Sequence, residues 1–451
     1  MKVNLISLGC PKNLVDSEVI LGRLGEKGYS LTYLPEEADV VVVNTCSFID
    51  KARREADRVI SQISSQKRTS QKFIICGCLP QLEGRTLFLK YPQVDALLGS
   101  SDFHRIDKVL TDLFKGKEHL YSVNEPCFLY NSSFPRLLTT PPSYAYLKIA
   151  EGCSNRCSYC LVPRLRGKYR SRSVEDVLRE AKALANLDVQ ELILIAQDIT
   201  FYGWDLGQKS SLLLLLEGLE KIKKIKWIRL LYTHPEHFTS SLIKAIANSQ
   251  KICKYVDLPI QHTHDEILAL MRRPKFKTTE RLVENLREKI PEIALRTSII
   301  VGFPGEETKH FDKLLKDVER LKFDWLGAFT YSPEKGTPAY SIAPKISSQV
   351  KKKRYRQLMG LQQSITLKLN QKRVNNTYAL LVDREKEGHC QFQAPEIDGK
   401  TLLQRKHLIG EIFLGKILAV NNVYDLVGEK VNQGVESPKS FAKTRARGLI
   451  H

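Results

Sequence analysis

The stretch EGCSNRCSYCLVPRLRGKYRSR, residues 151–172, places Cys153, Cys157 and Cys160 at spacings of four and three. Thiols that close together are metal ligands by type and spacing. A structural zinc site is closed by four ligands, commonly drawn from paired CxxC elements; here no second pair and no HxxxH follows. A cubane iron–sulfur cluster instead offers four irons to thiolates. Three cysteines on one loop would hold three of them and leave the fourth open to a further ligand. Two alternatives stay open on spacing alone. A zinc protein would carry its metal without acid-labile sulfide, and a non-catalytic iron–sulfur or RNA-binding scaffold would have no use for an open iron.

The cysteine loop follows YAYLKIAEG, the first of several strand-like runs between residues 140 and 371; ELILIAQD, WIRLLYT, YVDLPIQ, ALRTSIIVGF and WLGAFTYS are the others. Helical patterns such as SVEDVLREAKALANL and ETKHFDKLLKDVERL separate them. Repeated β/α units predict a parallel sheet curved into a partial (β/α)6 barrel, with its chemistry at the C-terminal strand ends. Those ends carry Gln197-Asp198, Thr233-His234, Gln261-His262 and Gly302 to Gly305. His237, alone in its surroundings, reads as a surface residue.

Upstream, VNLISLGC, ADVVVVNTC and KFIICGC are apolar runs of the kind buried on both faces of a parallel sheet. With the helical pattern DSEVILGRLGEKG between them, they predict a doubly wound α/β domain over residues 1–123. Cys10, Cys46 and Cys78 fall just past these strands, on the sheet edge where such domains bind ligands. Cys76, Cys127, Cys253 and Cys390 read as structural. Residues 124–139, rich in Pro and Ser, read as a linker. Residues 372–440 carry short strands between Gly and Asp turns and predict a small β-barrel. A basic tail, 441–451, follows.

A chain of 451 residues, 42% hydrophobic and 27% charged, is large enough for several cores and normal for a soluble enzyme. No apolar run approaches a membrane span. Met1-Lys2 leads straight into a strand, so no signal peptide and a cytoplasmic location are expected. In that compartment the ten cysteines are ligands or buried thiols rather than disulfides. The net charge is +20, of which +14 lies between residues 124 and 371. Arg164, Arg166, Lys168, Arg170 and Arg172, behind the cysteines, fit phosphate or ribosome contact.

CxxxCxxC with an aromatic, Tyr159, before its last cysteine, at the end of the first strand of a β/α barrel, resembles the radical-SAM superfamily. The resemblance implies a 4Fe–4S cluster on Cys153, Cys157 and Cys160 with S-adenosylmethionine (SAM) at its open iron. It also implies a SAM pocket lined by Tyr159, Gln197, Asp198, Ser298, Gly302 and Phe303. LGCPKNLVDSE, NTCSFID and CGCLPQ further resemble the methylthiotransferases of that superfamily. This implies a second 4Fe–4S cluster on Cys10, Cys46 and Cys78, and a TRAM-like, substrate-binding role for the C-terminal barrel. On the same resemblance the barrel cluster makes the radical, the N-terminal cluster holds the sulfur to be inserted, and a second SAM gives the methyl group. The two domains would then face each other across the linker.

GCPKN with VDSE, and Gln261-His262, resemble the branch that modifies the β-carbon of an aspartate in ribosomal protein twelve of the small subunit. The alternative branch acts on N6-modified adenosine in tRNA. A chain of charge +20 is poorly matched to a basic ribosomal protein alone, which leaves two readings open: a second contact with ribosomal RNA, or a charge that lies away from the docking face. Loss of residues 372–451 is expected to weaken substrate binding more than SAM cleavage.

Overall fold

Val40, Val41, Val42 and Val43 have no exposure at all, because they form the middle of a parallel sheet covered on both faces. In the computed structural model, which describes residues 1–208 and 210–431, this sheet contains β1 (Lys2–Ser7), β2 (Ser30–Leu31), β3 (Val40–Thr45), β4 (Lys72–Gly77), β5 (Ala96–Leu98) and β6 (Leu120–Ser122). Their order is β2-β1-β3-β4-β5-β6. Chain direction across the sheet reverses between β1 and β3, and the crevice at such a switch point is where doubly wound sheets take ligands. The sequence runs mark β1, β3 and β4; β2, β5 and β6 span only two or three residues each and show no pattern.

The first helix runs over Pro11–Glu26, five residues earlier than its apolar periodicity suggests. Pro11 stands in the first turn, where a missing N–H costs nothing. Lys12, Asn13, Asp16, Ser17 and Glu18 are all buried despite being polar, so a hydrophobic count cannot find this turn. Lys12, Asn13 and Asp16 are buried in the joint to the second body, Glu18 against Arg136, and Ser17 against Ser7 and Asn44 of its own sheet.

That body begins with β7 (Tyr144–Lys148) and continues through β8 (Ala150–Glu151) and β9 (Arg170–Ser171), a short antiparallel pair that closes the cysteine loop. Then follow β10 (Glu191–Ile195), β11 (Trp227–Leu230), β12 (Ile252–Asp257), β13 (Ala294–Val301) and β14 (Trp325–Thr330). The order β14-β13-β12-β11-β10-β7, all parallel, is an open partial barrel with one crossover helix or more between successive strands. The helix Val174–Asn186 starts where Ser173 accepts the Asp176 N–H, a cap of about 1 kcal/mol. A 26-residue helix, Ser348–Arg373, then packs along β14. Its buried stripe is Arg354, Leu358, Gln362, Ile365, Thr366 and Asn370, mostly polar, which hides it from hydrophobic periodicity.

Residues 124–139 are irregular but not a free linker. Tyr130 is 2% exposed and its hydroxyl donates to Glu180. Arg136 bridges Glu18 of the first body at 2.7 Å and Glu180 of the barrel at 2.8 Å. The segment is a strap pinned to both bodies by buried charges.

The last body is a closed barrel of β15 (Thr377–Arg384), β16 (Glu387–Cys390), β17 (Thr401–Leu403), β18 (Ile412–Val420) and β19 (Leu426–Lys430). It seats on the N-terminal ends of the central strands. His389 Nε2 meets Glu191 at 2.5 Å, the Arg229 guanidinium donates to Gln391 O at 2.6 Å, and the Trp325 indole donates to Phe392 O at 2.6 Å. Asp398 accepts from Tyr255 at 2.7 Å and from Arg296 at 3.2 Å. Removing residues 372–451 would therefore uncover Glu191, Arg229 and Arg296 as well as any substrate surface, so a selective loss of substrate binding is not the expected result. The basic tail 441–451 lies outside the described residues. Among the described residues, no helix is long and apolar enough to cross a membrane.

Candidate functional site

Gly9, two residues past β1, and Gly77, the last residue of β4, have φ of +100° and +97°, a region open to glycine. A Cβ at Gly9 would stand 2.4 Å from the Cys46 Cβ, and one at Gly77 would stand 2.4 Å from the Asn44 side-chain Oδ1 and 2.6 Å from the Thr45 carbonyl oxygen. The turns they permit bring Cys10, Cys46 and Cys78 to one edge of the sheet. Opposite them, the loop after β7 presents Cys153, Cys157 and Cys160, and all six thiols line a single cavity of 440 Å³. None is in a disulfide. Cys76, Cys253 and Cys390 are fully buried elsewhere, while Cys127 is exposed rather than part of a core.

The thiols sit in an environment that disfavours isolated anions. Burial, then the neighbouring Cys10 and Cys78, pushes Cys46 up to about 12. Burial pushes Cys153 up to about 11 and Cys160 further still. Burial also raises Cys78, against the pull of the Arg166 guanidinium. On the other side, Arg273 reaches Cys157 Sγ at 3.8 Å. Neutral thiols of this kind give up their protons when a metal core takes their sulfurs.

The two bodies meet around the cavity through a buried ionic joint. Lys148 pairs with Asp16 and, at 2.7 Å, with Glu151. Arg166 reaches Asp16 at 2.6 Å, Glu151 at 3.3 Å and the Asn13 side-chain oxygen. Lys12 lies over the Tyr232 ring at 3.2 Å. Across the cavity, Arg53 of the first body pairs with Glu334 of the barrel at 2.7 Å.

Tyr159, Gln197 and Ser298 lie on the cavity wall. Gln197 donates its amide N–H to Glu151 at 2.7 Å, which leaves its Oε1 buried and without a protein partner. The Tyr331 hydroxyl and Arg273 Nε, on residues of the same wall, are likewise unpartnered. Asp198, Gly302 and Phe303 stand behind the wall. Asp198 is saturated, accepting from the Thr200 N–H at 3.1 Å, the Thr200 hydroxyl at 2.5 Å and Asn155 at 2.9 Å, with His237 at 2.7 Å. The Gly302 N–H is spent on Glu306 at 2.8 Å, and Phe303 packs fully buried among Ile267, Met271 and Ala339. His237 is not a surface residue: it joins Asp198 and stacks on His234 at 4.8 Å.

The basic run behind the cysteines is also different from its sequence reading. Arg166 and Arg172 are buried, and Arg172 pairs with Asp176 at 2.7 Å and Glu180 at 2.5 Å. Arg170 donates to the carbonyls of Lys168, Phe128 and Arg166. Only Arg164 and Lys168 of the five are exposed. Lys12, Arg166, Arg273 and Glu334 on the wall, and Arg53 paired with Glu334 behind it, are the residues that spacing could not reveal, since each acts on a partner far away in the chain.

The sequence matches the family model described as "Uncharacterized protein family UPF0004" over residues 2–99 and that of the Radical SAM superfamily over residues 147–318. It is 45% identical to the ribosomal protein uS12 methylthiotransferase RimO of Citrifermentans bemidjiense, over 96% of this chain and 98% of that one. It is 44% identical to the protein of the same name from Geobacter sulfurreducens, over 96% and 99%. Among solved structures, its fold is similar to the radical SAM methyltransferase TsrM from Kitasatospora setae, with TM-score 0.55, 15% identity and coverage of 75% and 76%. It is also similar to the cobalamin-dependent radical enzyme OxsB, with TM-score 0.51, 12% identity and coverage of 81% and 56%.

Proposed function

The chain belongs to the family of ribosomal protein uS12 methylthiotransferases within the radical-SAM superfamily, and from that premise we propose that it adds a methylthio group to the β-carbon of an aspartate in uS12. The observation that carries the reading is the pair of thiol triplets facing one cavity. Each set is one ligand short of closing a cubane, so each suits a 4Fe–4S cluster with an open iron. The orphaned Gln197 Oε1, Tyr331 hydroxyl and Arg273 Nε fit a polar ligand such as SAM on the same wall. Cys153, Cys157 and Cys160 would hold the cluster that takes SAM; Cys10, Cys46 and Cys78 would hold the other. Once bound, these groups supply hydrogen abstraction from an unactivated carbon, the inserted sulfur and the methyl group.

The chain supplies placement. Glu151 fixes the Gln197 amide so that an acceptor faces the cavity, ready for an N–H or O–H of the ligand. Arg273, whose other guanidinium nitrogen donates to the Pro259 carbonyl at 2.6 Å, keeps a positive charge beside Cys157. The Arg53–Glu334 pair and the Lys12–Tyr232 contact hold the walls together and limit the entry of water.

Ribosomal RNA is the second contact in this reading. Arg156, Arg272, Lys335, Lys352 and Lys353 are exposed, with no carboxylate partner among the described residues. Arg156, Arg272 and Lys335 are sequence neighbours of the wall residues Cys157, Arg273 and Glu334. Lys351, beside Lys352, donates to the Tyr331 carbonyl at 2.8 Å. These exposed cations, next in sequence to wall residues, are suited to phosphate. Work on a ribosomal protein also calls for a cytoplasmic enzyme.

The test is metal and sulfide analysis of anaerobically reconstituted protein, followed by addition of SAM. About eight irons per chain, equal acid-labile sulfide and a spectral change with SAM are expected from two cubanes. Zinc without sulfide, or clusters indifferent to SAM, would contradict the proposal.

A further inference from the structure

Arg166 belongs to the barrel, in the helix Val162–Arg166 that directly follows the barrel cysteines, yet its guanidinium ends among the thiols of the other body. Its side chain is 5% exposed. One nitrogen lies between Asp16 at 2.6 Å and Glu151 at 3.3 Å, and the other donates to the Asn13 side-chain oxygen. Asn13 in turn donates to the Leu8 carbonyl at 3.1 Å and the Thr45 carbonyl at 2.9 Å. Those carbonyls belong to the chain ends that carry Cys10 and Cys46. The Arg166 guanidinium also sets its positive charge near the third thiol of the set, Cys78, and Arg166 and Cys78 line the same cavity. One barrel side chain therefore holds the support of two N-terminal thiols and places a positive charge by the third.

Resting on the two-cluster reading, we propose that Arg166 is a positioning residue for the N-terminal metal–sulfur site, supplied in trans by the barrel. The sheet brings Cys10, Cys46 and Cys78 to one edge. Arg166 fixes Asn13 between two of them and sets a positive charge against the third. The N-terminal site reaches its working geometry and potential only when the two bodies are joined. Positive charge and hydrogen bonds near cluster sulfurs raise the reduction potential, because they favour the more negative, reduced form.

The experiment separates the sites. One parent carries Cys153→Ala, Cys157→Ala and Cys160→Ala and keeps only the N-terminal site; the other carries Cys10→Ala, Cys46→Ala and Cys78→Ala and keeps only the barrel site. Each is reconstituted anaerobically with iron and sulfide, with and without Arg166→Gln, and its midpoint potential is followed by electron paramagnetic resonance. The expected result is a shift to more negative potential, with an altered spectrum, in the N-terminal-only protein alone. Arg166→Lys should restore most of the shift, since it keeps the charge. An unmoved N-terminal potential would overturn the proposal. So would equal shifts in both proteins, because Arg166 would then act through the barrel it belongs to. Arg166→Gln leaves Asp16 short of a partner, so Arg166→Gln with Asp16→Asn, which removes one charge of each sign, gives a second variant. Its expected shift keeps the same direction but is smaller, because loss of the Asp16 charge offsets part of the loss of the guanidinium while the hydrogen bond to Asn13 stays broken. Failure of both parents to take up iron and sulfide with Arg166 in place would sink the two-cluster reading itself, and this inference with it.

Discussion

The two thiol triplets reach the same cavity by opposite routes. Cys153, Cys157 and Cys160 sit on one loop, closed by the short β8–β9 pairing. Cys10, Cys46 and Cys78 become neighbours only after three strands are ordered side by side. Their supports differ in the same way. The barrel set is bordered by Arg273 of its own body, whereas the N-terminal set leans on Arg166 from the other. A local site tolerates disturbance elsewhere; a site assembled from distant strands and an interdomain joint does not.

The largest effect expected from this contrast comes from the thiols. Cys157→Ala should abolish reductive cleavage of SAM, read as 5′-deoxyadenosine, because two thiolates do not hold a site-differentiated cluster. Cys46→Ala should leave that cleavage standing and stop transfer of the methylthio group. Equal loss of cleavage in both would break the separation of roles.

The joint comes next. Asp16 is 2% exposed and partners both Lys148 and Arg166. Removing one member of a buried ion pair costs about 3–5 kcal/mol, since the remaining charges are left uncompensated. Asp16→Ala should lower stability by that amount in urea unfolding and should reduce iron at the N-terminal site before the barrel site. Parallel loss at both sites would mean that the joint supports the fold as a whole.

These same differences decide what can be read from sequence. The barrel triplet is visible because spacing along one loop is spacing in space, and the long valine run and the β/α alternation mark the two sheets. Cys10, Cys46 and Cys78 carry no local pattern; strand ends suggest them, and resemblance to a family singles them out. The joint is invisible for a physical reason: Lys12, Asn13, Asp16 and Glu18 look like a solvated helix face and are buried against partners 118 to 184 residues away. The run Arg164–Arg172 shows the converse error, since charge density does not reveal which cations are already paired. Asp198 and Phe303 sit at the right strand ends, but hydrogen bonding and packing turn them away from the cavity.

At the opposite end of the barrel, pH offers a milder test. His389 is buried, which alone would lower it, but Asp383 and Glu191 raise it from 6.5 to about 9. The stability it contributes is full below pH 6.5 and is lost as pH rises to about 9. The urea midpoint should fall across that window, and His389→Gln should flatten the fall. A midpoint constant through the window in the unmodified protein would refute the charged pair with Glu191.

The smallest effect is expected at the cavity rim. Replacing Lys335, Lys352 and Lys353 together by Gln should weaken binding to small-subunit particles modestly. It should also lower the salt dependence of log K by about two to three units of slope, one for each lost phosphate contact. An unchanged slope would remove RNA from the account while leaving the cluster assignments untouched.

The most direct test of the central claim is mass spectrometry of uS12 and bulk tRNA from cells with and without this gene. The account predicts a methylthio increment on one aspartate of uS12, present only when the gene is present, with tRNA unchanged. An unmodified uS12 in both, with methylthio-adenosine lost from tRNA on deletion, would contradict it.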